Sequence, residues 1–89
     1  MQPHPQFGFD DLKRILVERV GVAEDHIEEE RSATFDDIGL DSLAFIELRT
    51  ALEEDYGVQV RDEDVEHIYT LGDAIDYVNA RLDEQELTR

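Results

Sequence analysis

The chain has 89 residues, 24 of them acidic and 8 basic, for a formal net charge of −16, and it contains no cysteine. A chain this short supports one domain with one modest core, which excludes a large internal catalytic cleft. Without cysteine neither a disulfide nor a thiolate metal site can staple the fold, and the charge repels nucleic-acid phosphates and anionic lipid headgroups while attracting cationic partners from a distance. The same self-repulsion predicts that salt or divalent cations stabilise the compact state. Solubility is the plain alternative use of so much acid. Hydrophobic residues at 40% of the chain, arranged with clear periodicity, argue against disorder. No basic segment is followed by an apolar run at the N-terminus, and no apolar stretch approaches membrane-spanning length, so a soluble cytoplasmic protein that does not bind membranes is expected.

Residues 1–8 hold both prolines and no periodicity, and are expected to form a flexible N-terminus. A first helix is predicted from about Asp10. Leu12, Ile15, Leu16 and Val20 fall at helical spacing, Asp10 and Asp11 suit the positive helix N-terminus, and Gly21 can end it. From Gly21 to Leu40 the chain is polar and acidic, with apolar anchors at Val22, Ile27, Phe35 and Ile38. A loop of that length is unusual in a small domain.

The spacing predicts a second helix from Ser42 to Tyr56. Winding it at about 100° per residue puts Phe45, Leu48, Leu52 and Tyr56 on one face. Leu43, Glu47, Thr50 and Glu54 fall opposite, with Ile46 and Glu53 toward the flank. Leu43 and Ile46 among carboxylates make a partner-binding surface, or they touch the long loop or a neighbouring helix; periodicity alone leaves both open. After Gly57, Asp62 can cap a short third helix. Thr70, followed three residues later by Asp73, resembles a capping arrangement for a last helix. Leu71, Ala74, Ile75, Val78 and Leu82 mark its buried stripe, with residues 84–89 expected to be flexible. Three longer helices and one short one, without alternating strand patterns, predict an all-α bundle with one domain over residues 9–83.

Catalytic and metal-binding patterns are missing. His4, His26 and His67 stand far apart, without the pairing of a helical zinc motif. An EF-hand register that places Gly39 sixth puts Thr34 first and Phe45 twelfth, and one that places Gly57 sixth starts at Leu52, so both lack ligands. There is no phosphate loop or nucleophile elbow, and no histidine lies near Ser42 in sequence. What remains is Gly39-Leu40-Asp41-Ser42-Leu43: a glycine that can turn sharply, a leucine that can tuck under the bundle, an Asp41 that can cap, and a serine in the first helical turn. On residue types alone, a capping role for Ser42 is the simpler reading.

The run Asp36-Asp37-Ile38-Gly39-Leu40-Asp41-Ser42-Leu43 resembles the attachment-site motif of acyl carrier proteins, in which the serine of Asp-Ser-Leu receives 4'-phosphopantetheine from coenzyme A. The similarity continues through Glu47-Leu48 and Ala51 to Gly57, then Asp62-Glu63-Asp64 and Ala74 to Val78, covering about Asp10 to Leu82. That family is a four-helix bundle with a long first loop, and its members are carriers, not enzymes. The resemblance implies that a phosphopantetheinyl transferase, using magnesium, loads Ser42. It also implies that the arm's thiol holds acyl groups as thioesters between enzymes such as ketosynthases and acyltransferases, with the carrier acting as a monomer.

Between Asp41 and Glu66, nine acids accompany only Arg49 and Arg61. Partner enzymes of the family present basic patches, so Asp41, Glu47, Glu53 and Glu54 are expected to pair with them while Leu43 and Ile46 supply apolar contact. Many fatty-acid carriers have an acid directly after Asp-Ser-Leu. Here Ala44-Phe45-Ile46-Glu47 follows, which is more similar to the discrete carriers of polyketide synthases. Phe45 is also large for its position and narrows the inner cavity expected for a long fatty chain. A fatty-acid carrier is the alternative within the family, and an unmodified acidic interaction module the alternative outside it.

Overall fold

The computed structural model describes residues 7–27 and 29–87. Among these residues there are four α-helices and no strand, only one isolated antiparallel bridge, Thr34 to Thr70. No helix among the described residues is long and apolar enough to cross a membrane.

Helix α1 spans Phe9–Ile15 and continues as a wider π-helical turn, Leu16–Val20. Its start is held by Asp11, whose Oδ2 accepts from the Gly8 amide at 2.9 Å. Gly21 adopts a left-handed φ of 93° and ends the helix, its amide and that of Val22 both donating to the Leu16 carbonyl. Helix α2 spans Ser42–Tyr56 and is closed in the same manner by Gly57. Helix α3 is the single turn Asp62–Val65, and α4 spans Leu71–Leu87.

The expected inward face of α2 is recovered at Leu48 and Leu52, which are buried together with Ala51. Phe45 and Tyr56 lie half-buried, packed against the core edge. On α4 the buried stripe is Leu71, Ala74, Ile75 and Val78, with Leu82 partly covered. Thr70 and Asp73 form the expected reciprocal cap: the Thr70 hydroxyl accepts from the Asp73 amide at 3.0 Å, and Asp73 Oδ2 accepts from the Thr70 amide at 3.1 Å. Asp62 departs from expectation. It is the first helical residue of α3 rather than its cap, and its carboxylate instead takes a 2.9 Å bond from Arg49 of α2.

The long loop is a wall of the core. Ile27, Ala33, Phe35, Ile38 and Leu40 are all buried. Its backbone is stitched to the α3–α4 turn and the start of α4, with the Leu71 and Gly72 amides donating to the carbonyls of Ala33 and Arg31, each at 2.9 Å. Gly72 is required by that approach: a Cβ there would lie 3.0 Å from both the Arg31 Cβ and its carbonyl oxygen. These bonds pair part of the loop's backbone and tie so long a connection to the bundle.

Both ends of the domain extend further than the sequence suggests. Phe7, assigned to a flexible N-terminus, is 2% exposed. Its amide donates to Asn79 Oδ1 at 2.8 Å, its carbonyl accepts from Asn79 Nδ2 at 2.9 Å, and its ring meets Tyr56 edge-on at 5.0 Å. An aromatic ring with a paired backbone leaves water readily, and proline-rich surroundings hide that from a periodicity search. At the other end α4 continues through residues 84–87, which were expected to fray. The rest of the two expected flexible termini, residues 1–6 and 88–89, lies outside the described residues.

Candidate functional site

The start of α2 is fixed by its neighbours in sequence. Ile38 and Leu40 are buried, the Leu40 amide donates to the Phe35 carbonyl at 2.9 Å, and Gly39 between them takes a left-handed φ of 77°. The chain then extends through Asp41, whose Oδ1 accepts from the Ala44 amide at 2.8 Å and caps the helix. Capping is therefore the work of Asp41, and Ser42 is left as the first helical residue. Ser42 is exposed, and its hydroxyl has no hydrogen-bond partner among the described residues.

This placement leaves the Ser42 oxygen open to modification. The partial positive charge of the helix N-terminus is already met by the Asp41 carboxylate, which accepts from the Ala44 amide, so access and not a vacant anion site is what Ser42 offers. The chain has no thiol of its own. The residues thus fit a phosphodiester-linked arm through one feature: an accessible hydroxyl for the attachment.

Beside Ser42, Leu43 is 68% and Ile46 53% exposed. Both keep more than half of their surface open to solvent, Leu43 the more so. Glu47 and Glu53 are exposed and reach no cation among the described residues. Glu54, grouped with them from the sequence, is engaged differently: it and Asp55 both accept from the Arg19 guanidinium, tying α2 to the end of the first helical segment. The long-range partner in this pairing has no signature in the local pattern.

Ile46, Thr50 and Glu53 also line an open groove of about 640 Å³ whose far wall is the segment from Gln59 to Glu63. Arg49 holds that segment in place, donating to the Val60 carbonyl at 2.6 Å as well as to Asp62. Sequence reasoning missed the groove because the Arg49 bonds that set its second wall against α2 leave no mark in a local pattern. Helix α3 is held from its other side by Tyr77, whose hydroxyl donates to Asp64 Oδ2 at 2.7 Å; burial and this bond push the phenol pKa up. Asp73 is held below the usual carboxylate range by the amides of Tyr69 and Thr70.

Residues 10–78 match the family model described as the phosphopantetheine attachment site. Among solved structures, the octanoyl acyl carrier protein of the actinorhodin polyketide synthase from Streptomyces coelicolor is 34% identical, with a TM-score of 0.78; the match covers 90% of this chain and 95% of that one. The acetyl form of the actinorhodin carrier from the same organism is 35% identical over 88% of this chain and 93% of that one, with a TM-score of 0.73. Its 5-phenyl-3-oxo-pentyl form gives 32% identity, 93% and 99% coverage, and a TM-score of 0.76. The chain therefore belongs to the phosphopantetheine attachment-site family and is a carrier protein of the acyl-carrier type.

Proposed function

We propose that Ser42 is the residue that bears the 4'-phosphopantetheine arm, and that the chain carries acyl intermediates between the enzymes of a polyketide synthase without catalysing their conversion. The observation that carries this reading is the exposed, unpaired Ser42 hydroxyl at the first turn of α2, with the capping role already taken by Asp41. Similarity to actinorhodin carriers at 32–35% identity supports the pathway.

Nothing bonded to Ser42 removes its proton, so activation falls to a separate transferase acting with magnesium and coenzyme A. The hydroxyl oxygen attacks the coenzyme A pyrophosphate, its proton passes to a base on that enzyme, and the nucleotide leaves. When bound, the arm supplies the thiol on which acyl groups are held as thioesters. Asp41 caps the helix start through the Ala44 amide and so fixes where along the chain the helix, and the attachment point, begins.

Docking follows from the same face. Leu43 and Ile46 offer apolar contact, with Asp41, Glu47 and Glu53 as the acids meeting basic patches on a transferase, ketosynthase or acyltransferase. Glu54 contributes through the field that it shares with Arg19. Exposed ion pairs are worth on the order of 0.2–1 kcal/mol each, so several steer the encounter without making it permanent. That suits a carrier that must dissociate after each transfer.

The test is intact mass after incubation with coenzyme A, magnesium and a broad-specificity phosphopantetheinyl transferase. Wild type is expected to gain one phosphopantetheine and Ser42→Ala none. No gain in wild type would instead leave an unmodified acidic interaction module.

A further inference from the structure

Tyr69, on the turn between α3 and α4, is 66% exposed, yet its backbone is pinned on both sides. The amide donates to Asp73 Oδ2 at 3.1 Å and the carbonyl accepts from the Phe35 amide at 3.3 Å. Ile68 and Phe35 beside it are buried, so the core is closed here without the phenol ring. The ring walls an open cleft of about 230 Å³ with Thr34, Phe35, Asp36 and Ile68. Two of these residues carry polar side-chain groups that have no bonding partner among the described residues, the Tyr69 hydroxyl and the exposed Asp36 carboxylate.

The described part of the chain supplies no cation to Asp36. Its arginines are engaged elsewhere: Arg14 with Asp11, Arg19 with Glu54 and Asp55, Arg49 with Asp62, Arg61 with Asp64, and Arg81 with Glu84. Arg31, the nearest of them in sequence, donates to Asp76 at 2.7 Å and to the Gly72 carbonyl at 3.4 Å. Lys13 stands on α1, where it lines a different cleft with Asp10, Glu18 and Glu24.

On a chain of formal charge −16, an unpaired carboxylate beside an uncovered aromatic ring favours a cationic visitor over an anionic or a neutral one. Arginine suits the pair better than lysine, because its planar guanidinium can stack on the ring while its N–H groups reach the carboxylate and the phenol oxygen. The cleft is smaller than the roughly 300–1,000 Å³ of pockets that hold free small molecules, and it matches one side chain. A pinned backbone lowers the ordering cost of binding there. In a second copy of the chain the same arginines are already held in their own ion pairs, which disfavours self-association as the use of the cleft.

We propose that this cleft is a docking point for an arginine side chain of a protein partner, stacked on Tyr69 and paired with Asp36, separate from the α2 face that carries Leu43 and Ile46. Ser42 plays no part in it, so the unmodified protein serves as the test sample. Amide spectra of wild type, Tyr69→Phe, Tyr69→Ala and Asp36→Asn are followed during titration with acetyl-Ala-Arg-Ala-amide and, at matched ionic strength, with acetyl-Ala-Lys-Ala-amide. The arginine peptide is expected to shift the Phe35, Asp36, Ile68 and Tyr69 amides along a saturating curve, at least about twofold more tightly than the lysine peptide. Tyr69→Ala should weaken that binding roughly three- to tenfold, and Tyr69→Phe, which keeps the ring, by less than about twofold. Asp36→Asn should weaken it about two- to fivefold. Equal binding of the two peptides, a Tyr69→Ala protein indistinguishable from wild type, or shifts confined to the Glu47 and Glu53 amides would overturn the proposal. Cleft shifts that follow protein concentration alone would give the cleft to a second copy, and equal shifts from butanol would give it to an apolar segment; either result overturns the proposal as well. Because no arm is loaded, failure here leaves the Ser42 assignment standing.

Discussion

At the C-terminal end of α2, Glu54 and Asp55 share Arg19, and Tyr56 packs on Phe7 while its hydroxyl accepts from Arg14. On the face that carries Leu43 and Ile46, Glu47 and Glu53 reach no cation among the described residues, and the two apolar side chains meet solvent. One helix therefore carries two kinds of acid. Those at its end join elements of this chain, and those on its open face pair with no cation among the described residues. Net charge alone treats them as equivalent; the positions of the arginines separate them.

The sharpest contrast lies between Leu52 and Leu43. Leu52→Ala opens a cavity in the core and is expected to cost about 2–5 kcal/mol of stability, read by denaturant unfolding. Leu43→Ala removes an exposed side chain and is expected to change stability by less than about 0.5 kcal/mol. It should instead weaken binding to a ketosynthase by roughly fivefold or more if Leu43 anchors the docking face. A destabilised Leu43→Ala protein with unchanged binding would break the comparison.

Acid tests the structural carboxylates. The depressed folded pKa of Asp73 stabilises the protein above the ordinary aspartate pKa, and that contribution is lost as the pH falls through the depressed value. Asp73→Asn is expected to be less stable than wild type at neutral pH, with the difference closing in acid when unfolding is followed against pH. A gap that widens in acid would contradict the assignment.

Arg19→Ala and Glu47→Gln probe the two uses of charge on α2. Arg19→Ala should lower the thermal midpoint, and the loss should shrink as salt is added, because both of its ion pairs are at the surface. Glu47→Gln should leave the midpoint unchanged and weaken ketosynthase binding about two- to fivefold at low salt.

Much of this organisation is legible in the sequence where it is local. Helical spacing gives the core stripes of α2 and α4, and Asp41 and the Thr70/Asp73 pair read as caps, whereas the exposure of Leu43 and Ile46 is left open by periodicity and is seen only in the structure. Contacts between distant residues are not legible in that manner. Nothing near Phe7 announces Asn79, 72 positions away. Nothing in the polar loop announces that its backbone will bond to Leu71 and Gly72. The same limit hid the groove behind Ile46, whose second wall is brought in by Arg49. At Ser42 the residue types alone favour a cap while the family resemblance favours an attachment site, and the observed bond from Ala44 to Asp41 gives the capping to Asp41.

The central claim is that Ser42 is the attachment point, and the chain's only other serine, Ser32, is an internal control. Peptide mapping by tandem mass spectrometry after transferase treatment tests it directly. The account predicts phosphopantetheine on the Ser42 peptide and an unmodified Ser32; modification at Ser32, or at neither serine, would contradict it.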